Sequence, residues 1–341
     1  MQIFISLDYE VFFLKPSSDI EQSLIDPTHR FHEILSKSQT KAIFFVDAGF
    51  LYALKRQSNN FEKLAKDYAA IVAQLQYLEM HGHEIALHIH PHWEDSYYDG
   101  FRWKMNLSRY KLADFKKIEA EEIFKKYFQE LQSILTHQIV SYRAGGWCLE
   151  PFSYIKDAMK EAGIYIDSTV YPDGYAKTTT HNYDFRNYPK KEIWRFTSSP
   201  AIEDKNGYFF EIPFSSHQLP PILYWKVLFN KILKRIKNSD EGQGVKPSFK
   251  EVLKKLFTKN TDPVSIDAFK SQLLLRSFKT AEQKGQKYFC VIGHPKCFSD
   301  DTYKNLQQFL GYAKHQGHII STYAKIFTVD KVSQKQTSIV Y

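Results

Sequence analysis

The sequence is poor in cysteine: its 341 residues include only Cys148, Cys290 and Cys297. An odd number without regular spacing argues against a disulfide framework and is typical of free thiols in a reducing compartment. The chain also lacks a run of about 18 apolar residues, the length that a membrane-spanning helix requires. Its first ten residues carry two acids and no basic residue, unlike a secretory signal. These absences predict a cytoplasmic protein.

Excess positive charge is confined to one segment. The formal net charge is +8, and residues 221–259 contain ten Lys or Arg against three Asp or Glu. Because the remainder is nearly neutral and carries no nucleic-acid motif, we expect no nucleic-acid partner. The stretch ILYWKVLFNKILKRIK is apolar on one face and basic elsewhere, which suits an anionic bilayer surface. An ordinary packing helix with a solvated face fits the same pattern, so peripheral membrane contact through 221–259 stays open.

Short β-rich runs alternate with stretches of helical period along most of the chain. The runs are QIFISLD, KAIFFVD, EIALHIH, IVSYR, IYID and YFCVIGH. The helical stretches include one over residues 61–81 and one in DPTHRFHEILSK, where Asp26 is the predicted N-cap and Pro27 the first helical residue. This alternation predicts an α/β protein with a mainly parallel sheet. At least six strands favour a barrel over an open sheet.

The rhythm changes between residues 175 and 285, where strand-like EIWRF and YFFEIPF precede basic helical segments. No internal repeat and no low-complexity linker separates this region from the rest. We therefore predict one barrel domain over residues 1–341, with an insertion or lobe over 175–285 inside it.

Ionisable residues follow the apolar runs at five predicted strand ends. In parallel sheets and barrels, active sites lie at the carboxyl ends of the strands. The groups are Asp8 with Glu10, the histidines from His88 to His92, Arg143, Asp167 and His294. Their repeated placement predicts a single functional site.

Three alternating histidines, His88, His90 and His92, suggest metal binding. On a strand, residues at i, i+2 and i+4 share one face. If the chain turns at Pro91, His88 and His92 can still converge. Two imidazoles and a carboxylate from another strand form a three-ligand catalytic site with a position open for water. The alternative is a histidine-rich polar loop beside Trp93.

The motifs together resemble those of the polysaccharide deacetylase family, carbohydrate esterase family four. GHEIALHIHPHW resembles the family's Gly-His-Glu-Ile followed by His-x-x-x-His, and SLDYE occupies the place of Thr-Phe-Asp-Asp. YRAGGW is similar to the Arg-x-Pro-x motif, GIYIDSTVYP to the fourth motif and VIGHP to the Leu-x-His motif. The resemblance spans about residues 2–174 and 287–328, and leaves the basic middle outside it.

The resemblance implies a distorted (β/α) barrel of the polysaccharide deacetylase type with a basic helical insertion. It also implies a zinc-like divalent ion, with cobalt, nickel or manganese as alternatives. The implied ligands are His88, His92 and one carboxylate.

The resemblance assigns four further roles. Asp8 matches the catalytic base, and His294 matches the acid that protonates the leaving amine. Arg143 is expected to hold Asp8 through a charge-assisted bond. Asp167 is expected to orient His294 and raise its pKa.

One departure from the family concerns its second acid, a metal ligand next to the base, which is Tyr9 here. Glu10 is the substitute we expect, because it lies two residues from Asp8 and on the same strand face. Two alternatives remain: His90 completes a three-histidine site, or the site is degraded and binds no metal.

These observations predict a metal-dependent hydrolase that removes an N-acetyl group from an amino sugar. The expected substrate is a cytoplasmic nucleotide-linked or lipid-linked precursor of surface polysaccharide or O-antigen, as in lipopolysaccharide biosynthesis. One alternative is a hydrolase of non-sugar amides, allantoinase-like or deformylase-like. Another is a non-catalytic carbohydrate-binding relative with a decayed site, which Tyr9 supports.

Overall fold

The computed structural model describes residues 1–13, 19–219, 221, 222, 225, 256–258 and 260–326. Except for residues 222 and 225, the predicted bilayer-facing helix of the basic segment falls outside the described residues. Within the described ranges, no helix combines the length and the apolar character needed to cross a bilayer.

The described part of the chain alternates strands and helices as the sequence predicts. The strands are β1 (Gln2–Tyr9), β2 (Ile43–Asp47), β3 (Glu84–Ile89), β4 (Tyr97–Tyr98), β5 (Trp103–Lys104), β6 (Ser141–Ala144), β7 (Ile166–Asp167), β8 (Tyr175–Lys177), β9 (Asn182–Asp184), β10 (Trp194–Phe196), β11 (Phe209–Glu211), β12 (Ser216–Leu219), β13 (Asn260–Pro263), β14 (Tyr288–Gly293) and β15 (Ile319–Ser321). The α-helices of the described residues are α1 (Asp26–Lys37), α2 (Ala48–Gln57), α3 (Glu62–Met80), α4 (Lys117–Gln132), α5 (Lys156–Glu161), α6 (Leu274–Gln283) and α7 (Asp300–His315).

One helix boundary differs from the prediction. Helical backbone already exists at Ile25, because a helical turn over Glu21–Ile25 leads directly into α1. Asp26 is therefore inside the helix and is not its N-cap. The predicted helix over residues 61–81 is confirmed as α3.

A single curled sheet forms the centre of the molecule. Its strand order is β10–β11–β7–β6–β3–β2–β1–β14, with β15 also paired to the start of β1. The pairs are parallel except for β10 with β11. Parallel pairing brings the carboxyl ends of β1, β3, β6 and β14 to one edge of the sheet.

An irregular segment, residues 212–215, links the two ends of this sheet. Ile212 N–H donates to Asp167 O at 2.9 Å on the β7 side, and Ser215 N–H donates to Cys290 O at 3.0 Å on the β14 side. The sheet therefore curls toward a barrel that is completed by irregular backbone. This architecture confirms the predicted distorted (β/α) barrel, whereas the extent of an insertion over 175–285 stays a prediction.

Both faces of the sheet are buried, as expected for parallel strands covered by helices. Ile3, Ile5 and Leu7 of β1 belong to the large core under the helices. Phe4 belongs to a smaller cluster inside the barrel, with neighbours that include Phe45. Side chains alternate along a strand, so the even-numbered residues of β1 face the barrel interior. This parity determines which polar residues meet in the site.

Candidate metal centre and active site

The two acids at the carboxyl end of β1 and the two histidines at the carboxyl end of β3 face the barrel interior. Asp8 and Glu10 continue the inward-facing positions of β1, and His88 and His90 continue those of β3. All four are buried, with exposures between 1% and 6%. Parallel pairing places them at the same end of the barrel.

Glu10, His88 and His90 bring their potential ligand atoms within 4.8 Å of one another and form the candidate metal site of the described residues. His90 Nε2 lies 2.8 Å from Glu10 Oε2 and 3.1 Å from His88 Nε2, and His88 Nε2 lies 3.7 Å from Glu10 Oε2. A tetrahedral ion with bonds of about 2.0–2.1 Å spaces its ligand atoms about 3.3 Å apart. The two nitrogens and one oxygen therefore fit a zinc-like cation.

The hydrogen bonding of His88 agrees with a ligand role. Its Nδ1 lies 2.9 Å from the Arg143 carbonyl oxygen, which can only accept, so Nδ1 carries the proton. In the neutral ring this leaves the Nε2 lone pair directed toward Glu10 and His90. A backbone acceptor on the second ring nitrogen is the usual support of a metal-binding histidine.

His92, the ligand implied by the resemblance, lies outside this cluster. A tight turn over Pro91–Glu94 carries its ring between Tyr110 and Phe13. The Tyr110 ring stacks on it with a centroid distance of 5.6 Å, and the Phe13 ring meets it edge to face with a centroid distance of 4.6 Å. Neither ring nitrogen has a hydrogen-bond partner among the described residues. Burial, and then the nearby His90, lower the pKa of His92 well below its ordinary value. The structure therefore corrects the expected pair: His90, not His92, joins His88.

Gly145 provides the space that the His90 ring occupies. A Cβ atom at this position would lie 2.7 Å from His90 Nδ1 and 2.4 Å from Ile89 O. Gly145 stands where the resembled motif Arg-x-Pro-x has proline. A larger residue would therefore displace the ring from its place beside His88.

Asp8 is held by Arg143. Arg143 Nη1 donates to Asp8 Oδ1, Nε donates to Ser168 O at 2.9 Å, and Nη2 donates to Ser6 Oγ at 2.8 Å. The guanidinium is buried and lies 3.7 Å from the centre of the Phe45 ring. These contacts fix Asp8 while its second oxygen, Oδ2, lies 3.9 Å from His88 Nε2.

His294 extends the site from the end of β14, and Asp267 orients it. Asp267 accepts from the His294 backbone N–H through Oδ1 and from ring Nδ1 through Oδ2, both at 2.7 Å. The opposite nitrogen, Nε2, lies 3.6 Å from Asp8 Oδ2. Burial opposes the charged ring, but Asp267, followed by Asp8 and Glu10, outweighs burial and raises the pKa of His294.

The expected role of Asp167 is therefore wrong. Asp167 pairs in register with Tyr142, which packs in the outer core, so its side chain faces away from the barrel interior. It accepts from Thr169 Oγ1 at 2.8 Å and lies in register with Glu211 on β11. Strand alternation places it on the wrong face to reach His294.

Glu211 and Asp167 form a buried pair of carboxyl groups, and both side chains are fully buried. Burial, followed by the charge of Asp167, raises the pKa of Glu211 well above 4.5. Two adjacent carboxylates rarely ionise together in such a place. Glu211 is therefore protonated over part of the range in which an exposed glutamate is ionised.

Glu211→Gln is expected to stabilise the protein more at pH 8 than at pH 5. Because the pKa of Glu211 is raised in the folded protein, its contribution to stability is fully present below about pH 4.5 and is lost as the pH rises toward the folded-state pKa. Glutamine stays neutral at every pH and does not lose this contribution. Each pH unit between about 4.5 and the folded-state pKa adds on the order of 1 kcal/mol to the difference in unfolding free energy. Thermal unfolding at both pH values measures it, with the exposed Glu122→Gln as control. A difference that does not change with pH contradicts the assignment.

Lys296 is a site residue that the sequence analysis missed. Its side chain is 1% exposed, and its ammonium donates to Glu10 Oε1 at 2.9 Å and to Val11 O at 3.0 Å. Burial would raise the pKa of Glu10, but Lys296 and then His90 hold it well below its ordinary value. Glu10 is therefore a carboxylate, as a metal ligand must be.

Asp267 was missed because it lies within the stretch assigned to an insertion. The only local signal is the run PVSID, an apolar segment that ends in an acid. Ser265 pairs with Ile292 of β14, which places the following acid beside His294. This strand-end pattern is the same one that identified the other site residues.

Similarity to known proteins is visible at the level of structure alone. No protein-family profile and no curated protein sequence matches the chain. A candidate polysaccharide deacetylase of Mycobacterium smegmatis has 13% identity and a TM-score of 0.53, over 98% of this chain and 91% of that one. A candidate polysaccharide deacetylase of Pseudomonas aeruginosa PAO1 has 12% identity and a TM-score of 0.50, over 95% and 89%. The chain therefore has the fold of the polysaccharide deacetylases.

Proposed function

We propose that the protein is a metal-dependent hydrolase that removes an acetyl group from the nitrogen of an amino sugar. The observation that carries the proposal is the convergence of Glu10, His88 and His90 beside the Asp8–His294 pair. Both groups lie at the end of the barrel where such folds place their active sites. The deacetylase fold supports the same reaction class.

Glu10, His88 and His90 would hold the cation. A divalent ion there supplies a Lewis acid for the amide carbonyl and for the attacking water. Three protein ligands leave a position for solvent or substrate, as in catalytic zinc sites. The donor set suits zinc, and cobalt, nickel or manganese are the alternatives to test.

Asp8 and His294 carry the proton transfers. Asp8 accepts the proton of the attacking water, and Arg143 keeps its carboxylate oriented. His294 then donates its Nε2 proton to the leaving nitrogen, so that acetate and a free amine are produced. Asp267 binds the opposite ring nitrogen and thereby keeps the donating nitrogen turned toward Asp8.

We propose a nucleotide-linked or lipid-linked amino sugar as the substrate, in the cytoplasmic assembly of surface polysaccharide. The family resemblance supports an amino-sugar substrate. The basic segment 221–259 suits a phosphorylated carrier, whether nucleotide diphosphate or lipid phosphate.

A metal-loading assay tests the function. Protein stripped with chelator and reloaded with Zn²⁺, Co²⁺, Ni²⁺ or Mn²⁺ is incubated with nucleotide-linked N-acetyl sugars, and released acetate is measured. We expect acetate release from at least one sugar by the reloaded protein and none by the stripped protein. Turnover of hydantoins or formamides alone indicates a non-sugar amide hydrolase. Stoichiometric metal without turnover of any amide contradicts the enzyme assignment.

A further inference from the structure

Lys296 places its ammonium group inside the candidate metal centre. Its side chain is almost completely buried, and it follows His294 by two residues in the turn Pro295–Cys297. Its ammonium lies 5.0 Å from the centre of the Phe13 ring and is anchored by the Val11 carbonyl oxygen. A lysine is rarely buried without a specific partner, and here that partner is Glu10.

The two oxygens of Glu10 face different groups. Oε1 accepts from Lys296 at 2.9 Å and lies 3.7 Å from His294 Nε2. Oε2 lies 2.8 Å from His90 Nε2 and 3.7 Å from His88 Nε2. Oε1 therefore faces Lys296 and His294, whereas Oε2 faces His90 and His88, where a metal ion would bind.

We propose that Lys296 is an internal counter-ion that competes with a divalent cation for the charge of Glu10. In the metal-free protein it neutralises the carboxylate and keeps the ligands assembled. When a cation binds through Oε2, Lys296 remains on the same carboxylate and lowers the affinity of the site. The inference rests on the proposed function, because it takes Glu10, His88 and His90 as the ligand set.

Two effects of removing Lys296 oppose each other. Loss of a residue that hydrogen-bonds to a metal ligand ordinarily weakens metal binding by about 10- to 100-fold. A charge within about 4–6 Å, however, changes the proton affinity of a carboxylate by about 10- to 1,000-fold, and a doubly charged ion responds more strongly than a proton. The charge effect is therefore the larger one, and removal of Lys296 tightens metal binding.

The test measures Zn²⁺ affinity at pH 7.5 by competition with a chromogenic chelator. Lys296→Met, which keeps the length of the side chain, is expected to bind Zn²⁺ at least about tenfold more tightly than the wild type. Lys296→Arg, which keeps the charge, is expected to stay within about threefold. Lys55→Met removes a lysine that pairs with Glu130 on the helices, and it is expected to leave the affinity unchanged.

Thermal unfolding provides a second readout. Metal-free Lys296→Met is expected to unfold at a lower temperature than the wild type. Zn²⁺ is expected to raise its unfolding temperature by more than that of the wild type, because the bound metal replaces the lost charge. If Lys296→Met does not fold, Lys296→Gln keeps a donor without the charge and is expected to change the affinity in the same direction.

The outcomes separate this inference from the proposed function. Equal or weaker Zn²⁺ binding by both uncharged variants, with stoichiometric binding by the wild type, overturns the counter-ion role and leaves the metal centre intact. Absence of Zn²⁺ binding by the wild type and by Lys296→Met overturns both. Tighter binding by Lys296→Met together with wild-type affinity of Lys296→Arg supports the proposal.

Discussion

Replacement of His90 by glutamine is expected to weaken Zn²⁺ binding by at least about 100-fold, whereas the same replacement of His92 changes it by less than about fivefold. The loss of affinity in His90→Gln is expected to exceed the 10- to 100-fold that is typical for a residue that only hydrogen-bonds to a metal ligand, because the metal–nitrogen bond itself is removed. His92 makes no comparable contribution, since its ring packs between Tyr110 and Phe13.

The deacetylase activity of each variant is expected to fall in proportion to its loss of bound metal. A Lewis acid contributes several kcal/mol to such a reaction, and 1.36 kcal/mol corresponds to a factor of ten. We therefore expect His90→Gln to lose about 1,000-fold or more in kcat/KM at limiting metal, and His92→Gln to lose less than about tenfold. Chelator competition and acetate release on the same preparations check both values. The reverse order would restore His92 as the ligand and would contradict the present assignment.

The sequence predicted the position of this site better than its ligand set. Apolar runs ending in ionisable residues were sufficient to locate the carboxyl ends of β1, β3, β6 and β14, because such runs, and the alternation of side chains along them, can be recognised in the local sequence. The choice between His90 and His92 depends on where β3 ends. The strand stops at Ile89, His90 stays extended, and the turn at Pro91 redirects His92. Motif spacing does not contain that boundary.

The glycine after Ala144 shows a second limit of motif matching. In the resembled motif a proline stands at the position of Gly145, and the difference has no evident meaning in sequence. In the structure the His90 ring occupies the space that a side chain would need. His90 and Gly145 are distant in sequence and meet only in the folded protein, so the need for a glycine beside the His90 ring is visible in the structure alone.

The partner of His294 was predicted wrongly for a similar reason. Asp167 was chosen by the order of motifs, although alternation along a two-residue strand turns it toward the outer core. Asp267 precedes His294 by 27 residues in sequence. The pairing of Ser265 with Ile292 brings it into place. The run PVSID marks Asp267 as an acid at a strand end, but only the parallel alignment of that segment with β14 identifies it as the partner of His294.

Exchange of Asp267 for asparagine is the second change expected to have a large effect. The amide oxygen can still accept from the His294 backbone N–H, but the NH2 group would then face ring Nδ1, which now donates to the second carboxylate oxygen. His294 would lose the charge that raises its pKa and would adopt the opposite tautomer. In a comparable carboxylate–histidine pair such a change costs about 10,000-fold in kcat. We expect a loss of about 100- to 10,000-fold here.

Asp167→Asn is the matched control, because it is the same chemical change at the residue the motifs had indicated. Its amide oxygen can still accept from Thr169, and its side chain does not face His294, so kcat should change by less than about threefold. In Asp267→Asn the fall should appear in kcat, while KM and Zn²⁺ affinity stay near the wild-type values, because Asp267 acts through His294 and contacts neither His88 nor His90. Loss of Zn²⁺ binding in Asp267→Asn would instead mean that the change disturbs the whole barrel mouth. A large kcat effect of Asp167→Asn with none of Asp267→Asn would mean that the leaving group receives its proton by another route.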